Sequence, residues 1–385
     1  MKTQHQRDGD RDFNETNVGN RNTEPIPLDL TIEILKRLPA ESMFRFRCVS
    51  KQWCSITRSR FFIDSFMSLS LSRPRLLVCC DIYQFNARNT DQLLCFSTPL
   101  LPQVSNDSSL VSKHEMLVLK NDSSLILRFY NSVRGIICIS LGEICERRLF
   151  LICNPTTRQV LRIPNDITGF DPTYEYSYMY LGYDTRKGQY KILRIMMSEY
   201  GLVKHSVCTL EGDQIKSSSF SSWRHVECNI SYRRHESHCN QVLCINGVVY
   251  YAALKRTSTG CNSFVIVSFD VGVEQLFIIE SPKEIEKLDH LQLINYKGKL
   301  ALFLVNKDNS YILCVRDDIK KQTWLTKTGL LSPSFCDSYW NLELMTCGGS
   351  TEAGEICFMS SLKRADALEI FFYDLKKNNF RSRVI

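Results

Sequence analysis

Four times along this chain a glycine opens an apolar strand, and about twenty residues later an Asx residue closes another. The pairs are Gly135 with Asn154, Gly247 with Asp270, Gly298 with Asp318, and Gly354 with Asp374. The sixth residue after each Asx is large and apolar: Val160, Leu276, Trp324 and Phe380. The segment from Tyr183-Asp184 to Gly188-Gln189-Tyr190 fits the same template without a clear opening glycine. An Asn or Asp side chain closes a tight turn by accepting from backbone N–H groups just ahead of it. A fixed turn length then fixes the register of the next strand, because a slip of one residue turns every side chain to the other face. Each unit is a small antiparallel sheet of three or four strands that cannot bury its apolar face alone, so units must stack. The steps from Gly247 to Gly298 to Gly354 are about fifty residues, near the kelch period and far from leucine-rich or helical repeats. About 310 residues at roughly 45 to 50 per unit predict six or seven units, enough to close a propeller. The other reading is an irregular β-sandwich with chance similarities.

Ahead of the repeat the periodicity is different. Between Ile26 and Ile56 apolar residues recur at helical spacing, in two short segments separated by Leu38-Pro39. Leu30, Ile34, Leu35 and Leu38 share one face of the first, opposite Glu33, Lys36 and Arg37. Asp29 is its expected N-cap, and Pro39, which lacks an N–H and disfavours helix at Leu38, marks a turn. The second segment aligns Met43, Phe46, Val49 and Trp53. A third helix is expected from about Arg60 to Leu71, and Arg73-Pro74 ends the helical region. Helices this short need a partner surface. Either they form a small core together, or part of the stripe docks a partner's helices. Residues 1–24 are almost devoid of apolar side chains and read as a disordered tail. The expected domains are therefore 1–24, 25–72 and 73–385.

Over 385 residues, 44% hydrophobic and 23% charged are ordinary globular values. A formal charge of +7 with no concentrated basic run argues against nucleic acid as a partner. No apolar run approaches bilayer length, so no membrane association is expected. The seventeen cysteines are scattered, and Cys138, Cys153, Cys244, Cys314 and Cys357 sit in apolar strands where Cys acts as a small hydrophobe. With no signal peptide, a reduced nuclear and cytoplasmic setting is expected. No GxSxG, P-loop, GxGxxG or HExxH pattern occurs, so neither catalytic residues nor a cofactor are expected. Cys48 and Cys54 read as packing residues rather than nucleophiles. His225, Cys228, His235, His238 and Cys239 have the ligand chemistry for zinc. Their flanking Ser231-Tyr232-Arg233-Arg234 reads as an exposed loop, however, and no metal site is expected. Tyr174, Tyr176 and Tyr178 follow Asp171-Pro172 and read either as an exposed target-binding loop or as a strand with half-buried rings.

Ile26-Pro27-Leu28-Asp29-Leu30, then Glu33-Ile34-Leu35-Lys36-Arg37-Leu38-Pro39 and Arg45-Phe46-Arg47-Cys48-Val49-Ser50-Lys51-Gln52-Trp53, closely resemble the F-box, with Ile26 where that motif more often has Leu. Further on, Ser132-Val133-Arg134-Gly135, Cys153-Asn154-Pro155-Thr156-Thr157-Arg158, Tyr180-Leu181-Gly182-Tyr183-Asp184, Ser222-Trp223-Arg224, Cys244-Ile245-Asn246-Gly247 and Ile294-Asn295-Tyr296-Lys297-Gly298 resemble the plant F-box-associated domain in its type 3 variant. The resemblance implies segregated α and β domains: F-box helices followed by an all-β, kelch-like β-propeller. It implies that Ile26, Pro27, Leu30, Ile34, Leu38, Pro39, Val49, Ser50 and Trp53 contact a Skp-family adaptor. Through that adaptor the chain would join a cullin and a RING subunit, and its β domain would capture a protein for ubiquitination. From the residues alone, a glycan-binding or RNA-binding propeller with a helical cap is the alternative.

Overall fold

The computed structural model describes residues 26–71, 75–82, 91–99, 114–121, 126–142, 149–164, 176–198, 203–211, 219–228, 232–234, 242–256, 262–285, 291–318, 323–338, 345–360 and 369–384. The expected tail lies outside them. The chain divides into two compact units, Met1–Leu69 and Ser70–Ile385.

The first unit holds α1 (Leu28–Arg37), α2 (Ala40–Phe46) and α3 (Lys51–Arg58), and most of α4 (Arg60–Leu71). Pro27, not Asp29, is the N-cap of α1: its carbonyl accepts from the Thr31 N–H at 3.0 Å and the Thr31 hydroxyl at 3.2 Å. Asp29 falls in the first turn, where a carboxylate still faces the positive end of the helix dipole. Leu38 ends α1 in extended conformation, as the following proline requires. The expected second helix is in fact two. Its apolar stripe is continuous, but the Ser50 Oγ accepts from the Trp53 N–H at 3.1 Å and starts a new helix there.

Among the described residues, the second unit is all β apart from the end of α4 and one short helix. A three-stranded sheet comes first, from β1 (Arg75–Ile82), β2 (Asp91–Pro99) and β3 (His114–Asn121). Five blades follow, each antiparallel. Blade 1 is β4 (Ile126–Val133), β5 (Ile136–Gly142), β6 (Leu149–Asn154) and β7 (Gln159–Arg162). Blade 2 is β8 (Tyr176–Asp184), β9 (Gln189–Met197) and β10 (Val203–Glu211), with β11 (Ser219–Phe220) and β12 (Arg224–Val226) both on the outer side of β10. Blade 3 places β13 (Tyr232–Arg234) and β14 (Leu243–Ile245) beside β15 (Val248–Arg256), then β16 (Asn262–Asp270) and β17 (Gln275–Glu280). Blade 4 is β18 (Gln292–Tyr296), β19 (Lys299–Val305), β20 (Ser310–Asp318) and β21 (Thr323–Leu330). After α5 (Pro333–Ser338), blade 5 is β22 (Met345–Ser350), β23 (Ile356–Ser360), β24 (Glu369–Asp374) and β25 (Asn379–Val384). Inner strands of neighbouring blades approach one another: β4 with β8, β8 with β14, β14 with β18, and β18 with β22.

Among the described residues, then, five propeller blades and a smaller sheet replace the six or seven equal units expected. Successive blades begin at Ile126, Tyr176, Tyr232, Gln292 and Met345, steps of 50 to 60 residues against the roughly 45 to 50 per unit expected. Connections of unequal length account for the difference.

The repeat itself is two kinds of turn. Arg134-Gly135, Asn246-Gly247 and Lys297-Gly298 join first to second strands with φ of 51° and 80°, 51° and 81°, and 54° and 78°. Positive φ at both central residues is what a type I′ hairpin turn requires. The second turn is the Asx one. Oδ1 of Asp270 accepts from the N–H of Gly272 and Val273 at 2.8 and 3.0 Å, and Oδ1 of Asp374 from those of Lys376 and Lys377 at 2.9 and 3.2 Å. Asn154 accepts from Thr157 at 3.2 Å, and Asp184 from Arg186 and Lys187 at 3.0 and 3.1 Å. The turn after Asp318 lies outside the described residues. The fourth residue past the Asx is left-handed each time, at Arg158, Gly188, Glu274 and Asn378. An added Cβ at Gly135 would meet nothing within 4 Å. Gly135→Ala therefore tests the backbone term alone, and a loss of about 1 kcal/mol in urea denaturation is expected.

The core lies between blades. Blades 1, 2 and 3 share one cluster around Tyr180, Tyr251 and Phe269; blades 3 and 4 share another around Ile266 and Leu302. Blades 4 and 5 close on Phe335 of α5, whose ring meets Tyr373 and Phe380 at centroid distances of 4.9 and 5.1 Å. Leu276, Trp324 and Phe380 each pack on one of these clusters, whereas Val160 is 41% exposed. Cys138 and Cys153 are fully buried, and burial pushes the Cys153 thiol up to about 12, so both behave as apolar side chains.

Polar stitches cross the seams as well, and many run from a side chain to a backbone group. Asn131 of blade 1 donates to the Leu181 carbonyl at 2.7 Å and accepts from the Leu181 N–H at 3.1 Å. Trp223 of blade 2 donates to the Pro164 carbonyl at 3.3 Å, and Trp324 of blade 4 to the Glu280 carbonyl at 3.2 Å. Lys327 of blade 4 donates to the Leu375 carbonyl of blade 5 at 3.1 Å.

Candidate functional site

Two surfaces stand out, one on each unit. On the first, Leu35 and Phe62 are fully buried, yet the neighbouring apolar residues of α1 are not. Ile26, Leu28, Leu30 and Ile34 are each about half exposed or more, and Val49, in the turn before Ser50, is 60% exposed. The stripe read from the sequence is thus divided: Leu35 with Thr31 turns inward, while Leu30 and Ile34 face out. Leu38 and Trp53 are half-buried, and Trp53 sets its ring edge-on to Phe46 at 5.4 Å. Pro27, Pro39 and Ser50 are exposed, and Ser50 serves as the cap of α3. Exposed apolar residues gathered on such short helices are the surface signature of a protein partner.

The second surface is made by the blade topology. Because strands alternate in direction, the first-to-second and third-to-fourth turns of every blade fall at one end, and the remaining connections fall at the other. Neighbouring turns touch. The Arg134 guanidinium of blade 1 lies 4.4 Å from the Tyr183 ring centre of blade 2. Arg186 of blade 2 is 3.9 Å from Asp270 of blade 3, and Asn246 of blade 3 donates to the Gly298 carbonyl of blade 4 at 3.3 Å. The Lys297 N–H of blade 4 donates to the Ser350 Oγ of blade 5 at 3.0 Å.

The charges of this turn face are sorted by depth. Asp184 and Lys191 are almost fully buried, 3.4 Å apart. The Lys191 Nζ also reaches Glu274 of blade 3 at 2.8 Å and donates to the Val271 carbonyl at 2.8 Å. Arg224 completes the group, 2.7 Å from Glu274. Burial alone would raise both carboxyls, but turn N–H groups and Lys191 hold Asp184 below its ordinary value, and Arg224 with Lys191 does the same for Glu274. The Lys376 N–H, against a smaller effect of burial, lowers Asp374 too. The cations of the turn tips, Arg134, Arg158, Arg186, Lys187, Lys297, Lys376 and Lys377, are all exposed.

Between these seams runs a file of buried rings that sequence reading missed. Tyr130, Tyr180, Tyr251 and Tyr232 follow one another at 5.2 to 6.2 Å between centroids, ending at His205. The Tyr232 hydroxyl shares hydrogen bonds with Tyr251 and with the His205 Nε2, the latter at 2.5 Å. Burial drives the His205 pKa down to about 4, so the ring is neutral at ordinary pH and forms part of the wall.

Of the two readings of the tyrosines, the strand is the one the structure shows for Tyr176 and Tyr178. Tyr176 and Tyr178 belong to β8, and Tyr178 is 4% exposed, packed in the shared core of blades 1 to 3. Alternation of side chains across a strand, not a loop, explains the Tyr-x-Tyr spacing. Tyr176 is 36% exposed, and Tyr174 lies outside the described residues. Of the zinc candidates, His225 is exposed on β12 and Cys228 is half-buried, while His235, His238 and Cys239 lie outside the described residues. Among the described residues no three His, Cys, Asp or Glu side chains are grouped to hold a metal ion.

Comparison with known proteins fits both units. Residues 25–64 match the F-box domain, and residues 82–385 match the F-box associated beta propeller domain. F-box protein At1g30790 of Arabidopsis thaliana is 34% identical over 367 residues, covering 92% of this chain and 88% of that protein. F-box protein DOR of the same plant is 32% identical, covering 94% and 88%. F-box protein At5g65850 is 31% identical, covering 94% and 84%. A helical unit with its apolar residues turned outward, followed by a five-bladed propeller and matched along almost its whole length, places this chain among the F-box proteins that carry an F-box associated β-propeller domain.

Proposed function

We propose that this chain is the substrate-recognition subunit of a Skp–cullin–F-box (SCF) E3 ubiquitin ligase. Its helices dock a Skp-family adaptor, and through it a cullin and a RING subunit, while its propeller holds a target protein for ubiquitination. The observation that carries this reading is the exposure of Ile26, Leu30, Ile34 and Val49 on or beside helices whose inward residue, Leu35, is already fully buried. Membership of the F-box proteins supports an SCF role in general. We assign Pro27, Leu38, Pro39, Ser50 and Trp53 to the same adaptor contact. The chain supplies no chemistry of its own. Holding a target lysine beside a ubiquitin-charged enzyme raises the effective concentration of the reacting groups, which is the contribution asked of it. Its site of action is the nucleus and cytoplasm, where buried free thiols such as Cys138 and Cys347 persist.

Affinity purification of the tagged full-length chain under proteasome inhibition tests the reading. Skp-family adaptor and cullin are expected in near-stoichiometric amounts. A preparation carrying neither, with bound glycan or RNA in their place, overturns it. A fluorescent fusion confined to any other compartment overturns the localisation.

A further inference from the structure

We propose that the turn face of the propeller is the target-docking surface and that it receives an acidic, carboxylate-rich segment of the target protein. The inference rests on the reading of this chain as a target-capturing subunit. In the sequence the relevant cations are dispersed, at Arg134, Arg186, Lys297 and the pair Lys376-Lys377, and form no long basic run. The blade topology alone gathers them, because every first-to-second and third-to-fourth turn emerges at the same end. Contacts between neighbouring turns, from Arg134 on Tyr183 to Lys297 on Ser350, make the surface continuous across all five blades.

Depth decides the sign of that surface. Four of its carboxylates are engaged by the fold: Asp270 and Asp374 accept from the N–H groups of their own turns, and Asp184 and Glu274 close on Lys191. Asp317 is exposed but paired with Lys299 at 3.1 Å, which leaves Glu211 and Glu352 as further exposed carboxylates at this end among the described residues. The side chain of Arg186 is 65% exposed and that of Lys377 75%. Exposed cations, Arg134, Arg158, Arg186, Lys187, Lys297, Lys376 and Lys377, therefore outnumber the exposed carboxylates, and the net sign of the described face is positive. A face of this kind attracts and orients segments of opposite charge.

Turn conformation supplies an independent argument. The first position of a type I′ turn favours Asn or Gly, since it demands positive φ, and blade 3 has Asn246 there. Blades 1 and 4 place Arg134 and Lys297 at the same position, with φ of 51° and 54°. Long side chains are disfavoured in that region, so the turn itself does not ask for them. Stacking of Arg134 on Tyr183 fixes its guanidinium in advance, which lowers the entropy lost on binding. The cations stand on the turns of different blades rather than converging as a fork around one phosphate. Carboxylates spaced along an extended segment match that spread. Tyr176, at the opposite end of blade 2, takes no part.

The test is fluorescence anisotropy of a fluorescein-labelled peptide of alternating Glu and Ser, titrated with the full-length chain. One variant combines Arg134→Asn, Lys297→Asn and Lys376→Gln. A control combines Lys204→Gln, Lys283→Gln and Lys307→Gln, removing equal charge from exposed residues at the loop end. The turn-face variant is expected to bind about tenfold more weakly, and the control to stay within about twofold of the parent. Because Asn is at home in left-handed turns, the melting temperature of the turn-face variant is expected not to fall. Equal losses in both variants overturn the inference, as does a parent that ignores the peptide or prefers oligouridine RNA to it. Adaptor pull-down on the same samples separates the two readings. A parent that holds adaptor but no peptide sinks this inference alone, whereas one that holds no adaptor sinks the SCF assignment.

Discussion

Ile34→Asp combined with Val49→Asp is expected to abolish capture of a Skp-family adaptor while leaving the stability of the chain within about 1 kcal/mol of the parent. Both side chains are at least half exposed, so neither substitution removes packing. At a partner interface, burying each would contribute about 1.5–3 kcal/mol, and a carboxylate in its place adds an unpaired charge to be desolvated. Together these amount to a loss of about a thousandfold or more in affinity. Surface plasmon resonance against purified adaptor reads the loss, and circular dichroism reads the fold. Trp53→Ala is a poorer probe, because its ring contact with Phe46 at 5.4 Å makes any binding defect inseparable from damage to the helices. Full adaptor affinity in the double variant would sink the proposed contact.

Lys191→Met is expected to destabilise the propeller by about 3–5 kcal/mol at neutral pH. The substitution keeps the aliphatic stem but leaves Asp184, 1% exposed, without its cation. It also removes one of the two cations on Glu274 and the donor to the Val271 carbonyl, both across the seam between blades 2 and 3. The sign of the pH dependence follows from the depressed carboxyls. Asp184 and Glu274 hold their protons less tightly folded than unfolded, so the stability they contribute is present above the ordinary carboxylate value, about 4, and is lost as pH falls through their lowered values. Without Lys191 the Asp184 carboxyl takes up its proton more readily, and the buried charge disappears. The gap between variant and parent is therefore expected to narrow as urea denaturation is moved from pH 7 toward about pH 4. A gap that stays constant would mean Lys191 acts through packing alone.

Which parts of this molecule were legible in the chain depends on how local their causes are. The Asx turns were legible because Asp270 and Asp374 bond N–H groups two and three residues ahead, inside the stretch one reads. The same locality made the Pro39 break readable. The division of α2 from α3 was hidden, because Ser50 interrupts backbone hydrogen bonding without interrupting the apolar stripe. Blade number was hidden for a different reason: it depends on connection lengths, which no turn signal encodes. Tyr178 was left between loop and strand although its two-residue spacing from Tyr176 was itself a strand signal. Lys191 and the turn-tip cations were opaque in opposite ways. A charged residue reads as exposed until a neighbouring blade buries it, and dispersed cations read as unrelated until the strands return them to one end.

The stitches between blades bear on how such a protein diverges. A bond from Asn131, Trp223, Trp324 or Lys327 to a backbone group asks nothing of the side chain on the accepting residue. Between blades 1 and 2, 3 and 4, and 4 and 5, each such bond ties the hands of one residue and frees its counterpart, whereas side-chain pairs bind blade 2 to blade 3 and constrain both partners. Mutational drift in one blade needs no matched change in the next at these points, so blades are able to vary independently while their order and spacing persist. Gene copies built this way have a rigid frame and a mutable rim. New tips on the same turns are then a short evolutionary step, and each is an opportunity to meet a different target.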